Sequence, residues 1–99
     1  MRLYIDDIRQ PKFIFDHITR SSKESIDFMK KFGCPSYISF DHDLGGDDTA
    51  MNIVKWMVEM DLDNPGWITK SFDFNVHSAN PVGKTNLEGY LGVYLRQRA

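Results

Sequence analysis

Ile38-Ser39-Phe40-Asp41-His42-Asp43-Leu44-Gly45-Gly46 decides the fold of this chain. An apolar run of the kind found in buried parallel strands stops abruptly at a carboxylate, an imidazole and a second carboxylate. In open α/β sheets ligands gather beyond the carboxyl ends of the strands, which is where this polar cluster falls. The same punctuation occurs twice more. Leu3-Tyr4-Ile5 runs into Asp6-Asp7, and Phe72-Asp73-Phe74-Asn75-Val76 runs into His77-Ser78-Ala79-Asn80. If the three strands are parallel, Asp6, Asp7, Asp41, His42, Asp43, His77 and Ser78 face one pocket.

Working outward, Arg2 to Ile5 reads as the first strand, and Pro11 stops its continuation because proline cannot donate to a ladder. Lys12 to Ile18 alternates loosely and reads as a short strand or an irregular segment. Ser21 and Glu24 form a capping box for a first helix, whose inner face is Ile26, Phe28, Met29 and Phe32 and whose stop is Gly33 and Pro35. A second helix begins near Asp48 or Thr49, with Ala50, Ile53, Val54 and Met57 at helical spacing. Asn64-Pro65-Gly66 turns the chain. A Thr85–Glu88 box starts the last helix, with Leu87, Tyr90, Leu91, Tyr94 and Leu95 on one side. Strands alternating with helices predict a compact three-layer α/β domain of about four mainly parallel strands, with helices on both faces.

The 99 residues suffice for one domain with one core, and 41% hydrophobic and 26% charged residues are ordinary for a soluble protein. No apolar run reaches the roughly 20 residues that a bilayer span needs. No secretory leader is visible, so the expected location is the cytoplasm. The net charge of −2 provides no broad basic surface for nucleic acid. Lys30, Lys31, Arg96 and Arg98 fall near helix C-termini, where cations complement the dipole. Cys34 is a lone thiol, read as structural. Trp67 and Ile68 are candidates for an exposed partner surface.

The polar clusters carry the chemistry. Adjacent carboxylates after one strand and another after the central strand suit magnesium, a hard cation that takes oxygen ligands and keeps part of its water. Asp6, Asp7 and Asp41 are the expected metal ligands, whereas Asp47 and Asp48 read as loop and capping residues. Asp41, His42, Asp43 and His77 are the candidate catalytic groups, the two imidazoles being suited to act as general acid and base on a phosphoester. Arg9, Ser78, Asn80, Gly83 and Asn86 are the candidate phosphate binders, because a glycine and small polar residues at a strand-to-helix junction make an anion cradle. Gly83-Lys84-Thr85 lacks the upstream glycine of a P-loop, which excludes a Walker-type site.

Taken together, Asp6-Asp7, Asp41 and Ser78-Ala79 resemble the landmarks of response-regulator receiver domains. The lysine that follows a fifth strand in that family has no counterpart, so the C-terminal part looks truncated. The closer resemblance is to a divergent branch, the cyclic-phosphate processing receiver domains. Its three blocks are matched by Leu3, Asp6, Asp7, Arg9 and Pro11; by Asp41 to Gly45; and by His77, Ser78, Asn80, Pro81, Gly83 and Asn86. The resemblance implies a small flavodoxin-like domain and a metal-assisted phosphoesterase acting on a cyclic or terminal phosphate of a nucleotide or RNA end. It is compatible with a phage source and so with a host cytoplasm. Two rival readings are a non-catalytic nucleotide-sensing or protein-docking module, and a phosphoacceptor at Asp41, against which the missing lysine argues.

Overall fold

The computed structural model describes residues 1–98. Its elements run β1 (Arg2–Ile5), β2 (His17–Thr19), α1 (Ser22–Phe32), β3 (Tyr37–Phe40), α2 (Met51–Asp63), β4 (Asp73–Val76) and α3 (Pro81–Gln97). The strands form one parallel sheet in the order β2-β1-β3-β4. This is the flavodoxin-like order as far as its fourth strand. Register places Leu3 beside Ile38 and Ile5 beside Phe40, with Phe74 and Val76 continuing the same rows.

Those alternate residues define the buried face. Leu3, Ile5, Ile38, Phe40 and Val76 pack in one cluster with Met29 of α1, Ile53, Val54 and Met57 of α2, and Leu87 and Leu91 of α3. Each fully buried aliphatic or aromatic side chain contributes roughly 1.5–3 kcal/mol of hydrophobic stabilisation. All three helices therefore lie on one face, with α2 touching both α1 and α3. The sheet is as expected, but the layers number two rather than three. The reason is visible between β1 and β2, where residues 6–16 form a loop instead of a helix. The remaining crossovers, β2 to β3 and β3 to β4, advance in the same direction along the sheet, so right-handedness puts their helices on the same side. The opposite face bears Arg2, Tyr4, Tyr37, Ser39, Asp73 and Asn75, and among the described residues no helix covers it.

Local boundaries differ from the sequence reading in instructive ways. Ser21 caps α1 as expected, accepting the Glu24 N–H at 3.1 Å. In α3 the cap is Asn80, whose Oδ1 accepts the Gly83 N–H at 3.0 Å, and Pro81 fills the first turn. Thr85 lies inside that helix, its hydroxyl donating to the Pro81 carbonyl. Helix α2 starts at Met51 with no side-chain cap, since Ala50 holds the cap position, and Asp48 bonds Ser22 of α1. The second strand spans only His17–Thr19, and Phe13 and Ile14 before it are exposed. Phe32 and Tyr90, expected on inner faces, are 56% and 41% exposed. Ile68 is buried and Trp67 packs edge-on against Trp56, so neither forms an exposed partner patch. Burial pushes the Cys34 thiol up to about 12, in keeping with a structural role. Among the described residues, no helix is long and apolar enough to cross a membrane.

Candidate functional site

Three main-chain hydrogen bonds extend the ladders one residue past the strand ends. Asp6 N–H donates to Thr19, Asp41 N–H to Ile5, and His77 N–H to Phe40, at 3.2, 2.8 and 2.8 Å. Parallel pairing thus brings the residues that follow three strands to one edge. Carboxylate oxygens of Asp6, Asp7 and Asp41 all lie within 4.8 Å of one another. They adjoin a pocket of about 220 Å³ lined by Asp7, Ile8, Arg9, Asp41, Asp43 and the segment Ser78-Ala79-Asn80.

Each carboxylate has a distinct environment. Asp6 is fully buried. Burial alone would push its carboxyl up, but N–H donors from Arg9 and Ile8, together with His77, outweigh that and hold it below the ordinary value. Asp41 is raised, first by burial and then by the neighbouring Asp6 charge, against which His77, Arg9 and Ser78 pull the other way. Asp43 is exposed and held low by His42 and Asn80. The cluster therefore has one firmly ionised member and one whose charge is opposed, which is the deficit that a divalent cation relieves. Three hard oxygen donors this close would suit a hard divalent cation such as magnesium.

The two imidazoles stand behind this wall rather than in it. His77 Nε2 meets Asp6 Oδ2 at 3.0 Å and Nδ1 meets Ser39 Oγ at 2.7 Å, so both ring nitrogens are engaged. Its ring also stacks on Tyr4, with centroids 4.6 Å apart and planes within 5°. His42 Nδ1 lies 3.0 Å from Asp43 Oδ1. Both histidines thus orient carboxylates.

The family model of the cyclic-phosphate processing receiver domain matches residues 1–92, from the first strand through most of the last helix. The chain belongs to the cyclic-phosphate processing receiver domain family. No curated protein and no solved structure matches it.

In this cyclic-phosphate processing receiver domain the remaining motif residues divide by position. Arg9 is half-exposed at the pocket wall, with Nε 3.9 Å from Asp6 and one guanidinium nitrogen donating to the His77 carbonyl. Ser78 lines the pocket and its Oγ accepts the Asn80 N–H at 3.0 Å. Asn80 caps α3 and donates to Asp43 at 3.3 Å. Gly83 does not reach the pocket. It is buried under His42, where any Cβ would run into the imidazole ring. Asn86 is exposed in the second turn of α3 and does not line the pocket.

Sequence reasoning missed Ser39, Tyr4 and Ile8. Ser39 was legible as the polar position in an apolar strand, whereas the stacking of Tyr4 and the place of Ile8 in the pocket wall depend on tertiary geometry. A larger groove of about 710 Å³ lies at the C-terminal ends of α2 and α3. Its buried carboxylate, Asp61, accepts hydrogen bonds from Tyr94, Arg98 and the Ile68 N–H, so these groups brace the fold.

Proposed function

We propose that this domain is a metal-assisted phosphoesterase that opens a cyclic phosphate, or removes a terminal one, on a nucleotide or RNA end. The observation that carries this reading is the convergence of Asp6, Asp7 and Asp41 beside Arg9 and Ser78, in a chain of the cyclic-phosphate processing receiver family. The three carboxylates would hold a magnesium ion, which when bound draws charge from the phosphoryl oxygens. Arg9 and the Ser78 hydroxyl donate to phosphate oxygens and fix the phosphorus atom in the pocket. Asp43, which lines the pocket and is bonded to His42, accepts the proton of the attacking water. One P–O bond forms as one ester P–O bond breaks, and the proton held by the His42–Asp43 pair passes to the leaving oxygen. His77 holds Asp6 in place.

The test is turnover of a 2′,3′-cyclic nucleotide followed by chromatography. Conversion to the monoester with magnesium, loss with chelator and loss in Asp7→Asn are expected. Conversion that persists with chelator and in Asp7→Asn, or no conversion at all, would overturn the assignment. A second reading, a nucleotide-sensing module without chemistry, is favoured by one observation: both imidazoles are bonded to side chains and neither lines the pocket. It predicts saturable binding with no product.

A further inference from the structure

Resting on that reading, we propose that the β1–β2 loop is a docking strip for the single-stranded RNA that carries the phosphate, so that the substrate is an RNA end rather than a free mononucleotide. The pocket, at about 220 Å³, falls below the ~300 Å³ at which cavities begin to enclose drug-sized ligands. It has room for a phosphate and a cation, which leaves the nucleoside outside. One wall of the pocket is Ile8 and Arg9, and the chain that leads away from them is Gln10-Pro11-Lys12-Phe13-Ile14. Ile8, Phe13 and Ile14 are 79%, 76% and 89% exposed.

Scattered apolar side chains on a surface need no explanation, but three so exposed within seven residues, interleaved with Arg9 and Lys12, form a local pattern. The strip is not a free tail. Asp6 accepts the Ile8 and Arg9 N–H groups, an Arg20 guanidinium nitrogen donates to the Arg9 carbonyl at 2.6 Å, and Phe15 packs on Tyr4 with ring centroids 5.2 Å apart. Beyond Phe15 the uncovered sheet face continues the surface, with the Arg2 guanidinium over the Phe15 and Tyr37 rings. Single-stranded nucleic acid is held by bases stacked on aromatic faces and cations along the backbone, and here Phe13 is the exposed aromatic face, with Arg9 and Lys12 beside it. Two cations set among the apolar side chains, continuous with a phosphate pocket, favour RNA over a protein partner. The overall charge of −2 makes the attraction local to the strip.

The experiment measures fluorescence anisotropy of a ten-nucleotide RNA with a 3′-phosphate, in magnesium, against competition by a 3′-mononucleotide and against the same RNA with a 3′-hydroxyl. The strand should bind at least tenfold more tightly than the mononucleotide, with an affinity that falls as salt rises. Phe13→Ala combined with Lys12→Ala, both at exposed positions, should erase that tenfold preference. Equal affinity for strand and mononucleotide would overturn the docking strip while leaving the phosphoesterase reading intact. Binding of the 3′-hydroxyl strand as tightly as the 3′-phosphate strand, lost in the double variant, would support the strip and sink the phosphate reading instead. If no RNA or nucleotide binds, both fall and the exposed strip becomes a protein-docking surface.

Discussion

At Gly83 the absence of a side chain has a geometric cause, because the His42 ring occupies the space that a Cβ would take. Gly83→Ala should displace that ring, cost about 1–3 kcal/mol of stability by overpacking, and weaken the His42 hold on Asp43. Urea denaturation measures the first effect, and the rate of cyclic-phosphate turnover measures the second. His77 gives the complementary prediction. With Nε2 on Asp6, Nδ1 on Ser39 and a ring stacked on Tyr4, it fixes Asp6, a proposed metal ligand, from behind. His77→Ala should lower magnesium affinity about 10–100-fold in calorimetry, the usual cost of losing an outer partner of a ligand. An unchanged affinity would show that Asp6 is held by the Ile8 and Arg9 N–H groups alone. The motif made His77 conspicuous in the sequence, but its direction was illegible there. Whether an imidazole faces a pocket or the side chain behind it depends on Ser39 and Tyr4, residues on two other strands.

Among the elements, α1 and α2 are joined through one carboxylate. Asp48, in the loop before α2, accepts both the Ser22 N–H and the Ser22 hydroxyl, and these bonds, outweighing its burial, hold its carboxyl below the ordinary value. An Asp just ahead of an apolar periodic run reads as the cap of the helix that follows, yet here the helix N–H it accepts belongs to the first turn of α1, and α2 reaches it through the Asn52 side chain at 3.2 Å. Asp48→Ala should therefore cost about 1 kcal/mol, the ordinary loss of a capping side chain, and faster amide exchange should appear in the first turn of α1 rather than of α2. Protection lost from α2 instead would contradict this assignment. A similar limit explains α3. The Thr85–Glu88 spacing satisfies the capping-box pattern, but Asn80 followed by Pro81 is a stronger start, because proline at the first helical position forfeits no hydrogen bond. Strands were legible wherever an apolar run met a carboxylate, since that junction is set by the chain itself.

Over the whole molecule, the one-sided arrangement of helices leaves half the sheet to a loop. The absence of helical periodicity between Asp6 and Asp16, and Pro11 within it, carried that information in the sequence. Reading alternation as helices on both faces passed over it. Acid stability belongs to this scale as well, because Asp6, Asp48 and Asp61 all have carboxyls held below their ordinary values in the folded state. As pH falls through the ordinary carboxylate range, near 4, the unfolded chain takes up protons before the folded one does. Stability is thus fully present above that range and is lost progressively until the folded groups are themselves protonated. Asp61→Asn, which leaves Arg98 without its charged partner, should lower stability at neutral pH by about 1–3 kcal/mol and flatten the acid limb of a melting-temperature profile. A variant with an undiminished acid slope would show that the bonds from Tyr94, Arg98 and Ile68 do not depress that carboxyl.

If the carboxylate edge of this sheet directs water onto a phosphate, phosphorus NMR of a 2′,3′-cyclic nucleotide in ¹⁸O-enriched water will follow that step itself. The cyclic diester signal should give way to a monoester carrying one ¹⁸O per turnover, only with magnesium and not with Asp41→Asn. A diester signal that persists unchanged with the folded, magnesium-loaded protein would contradict it.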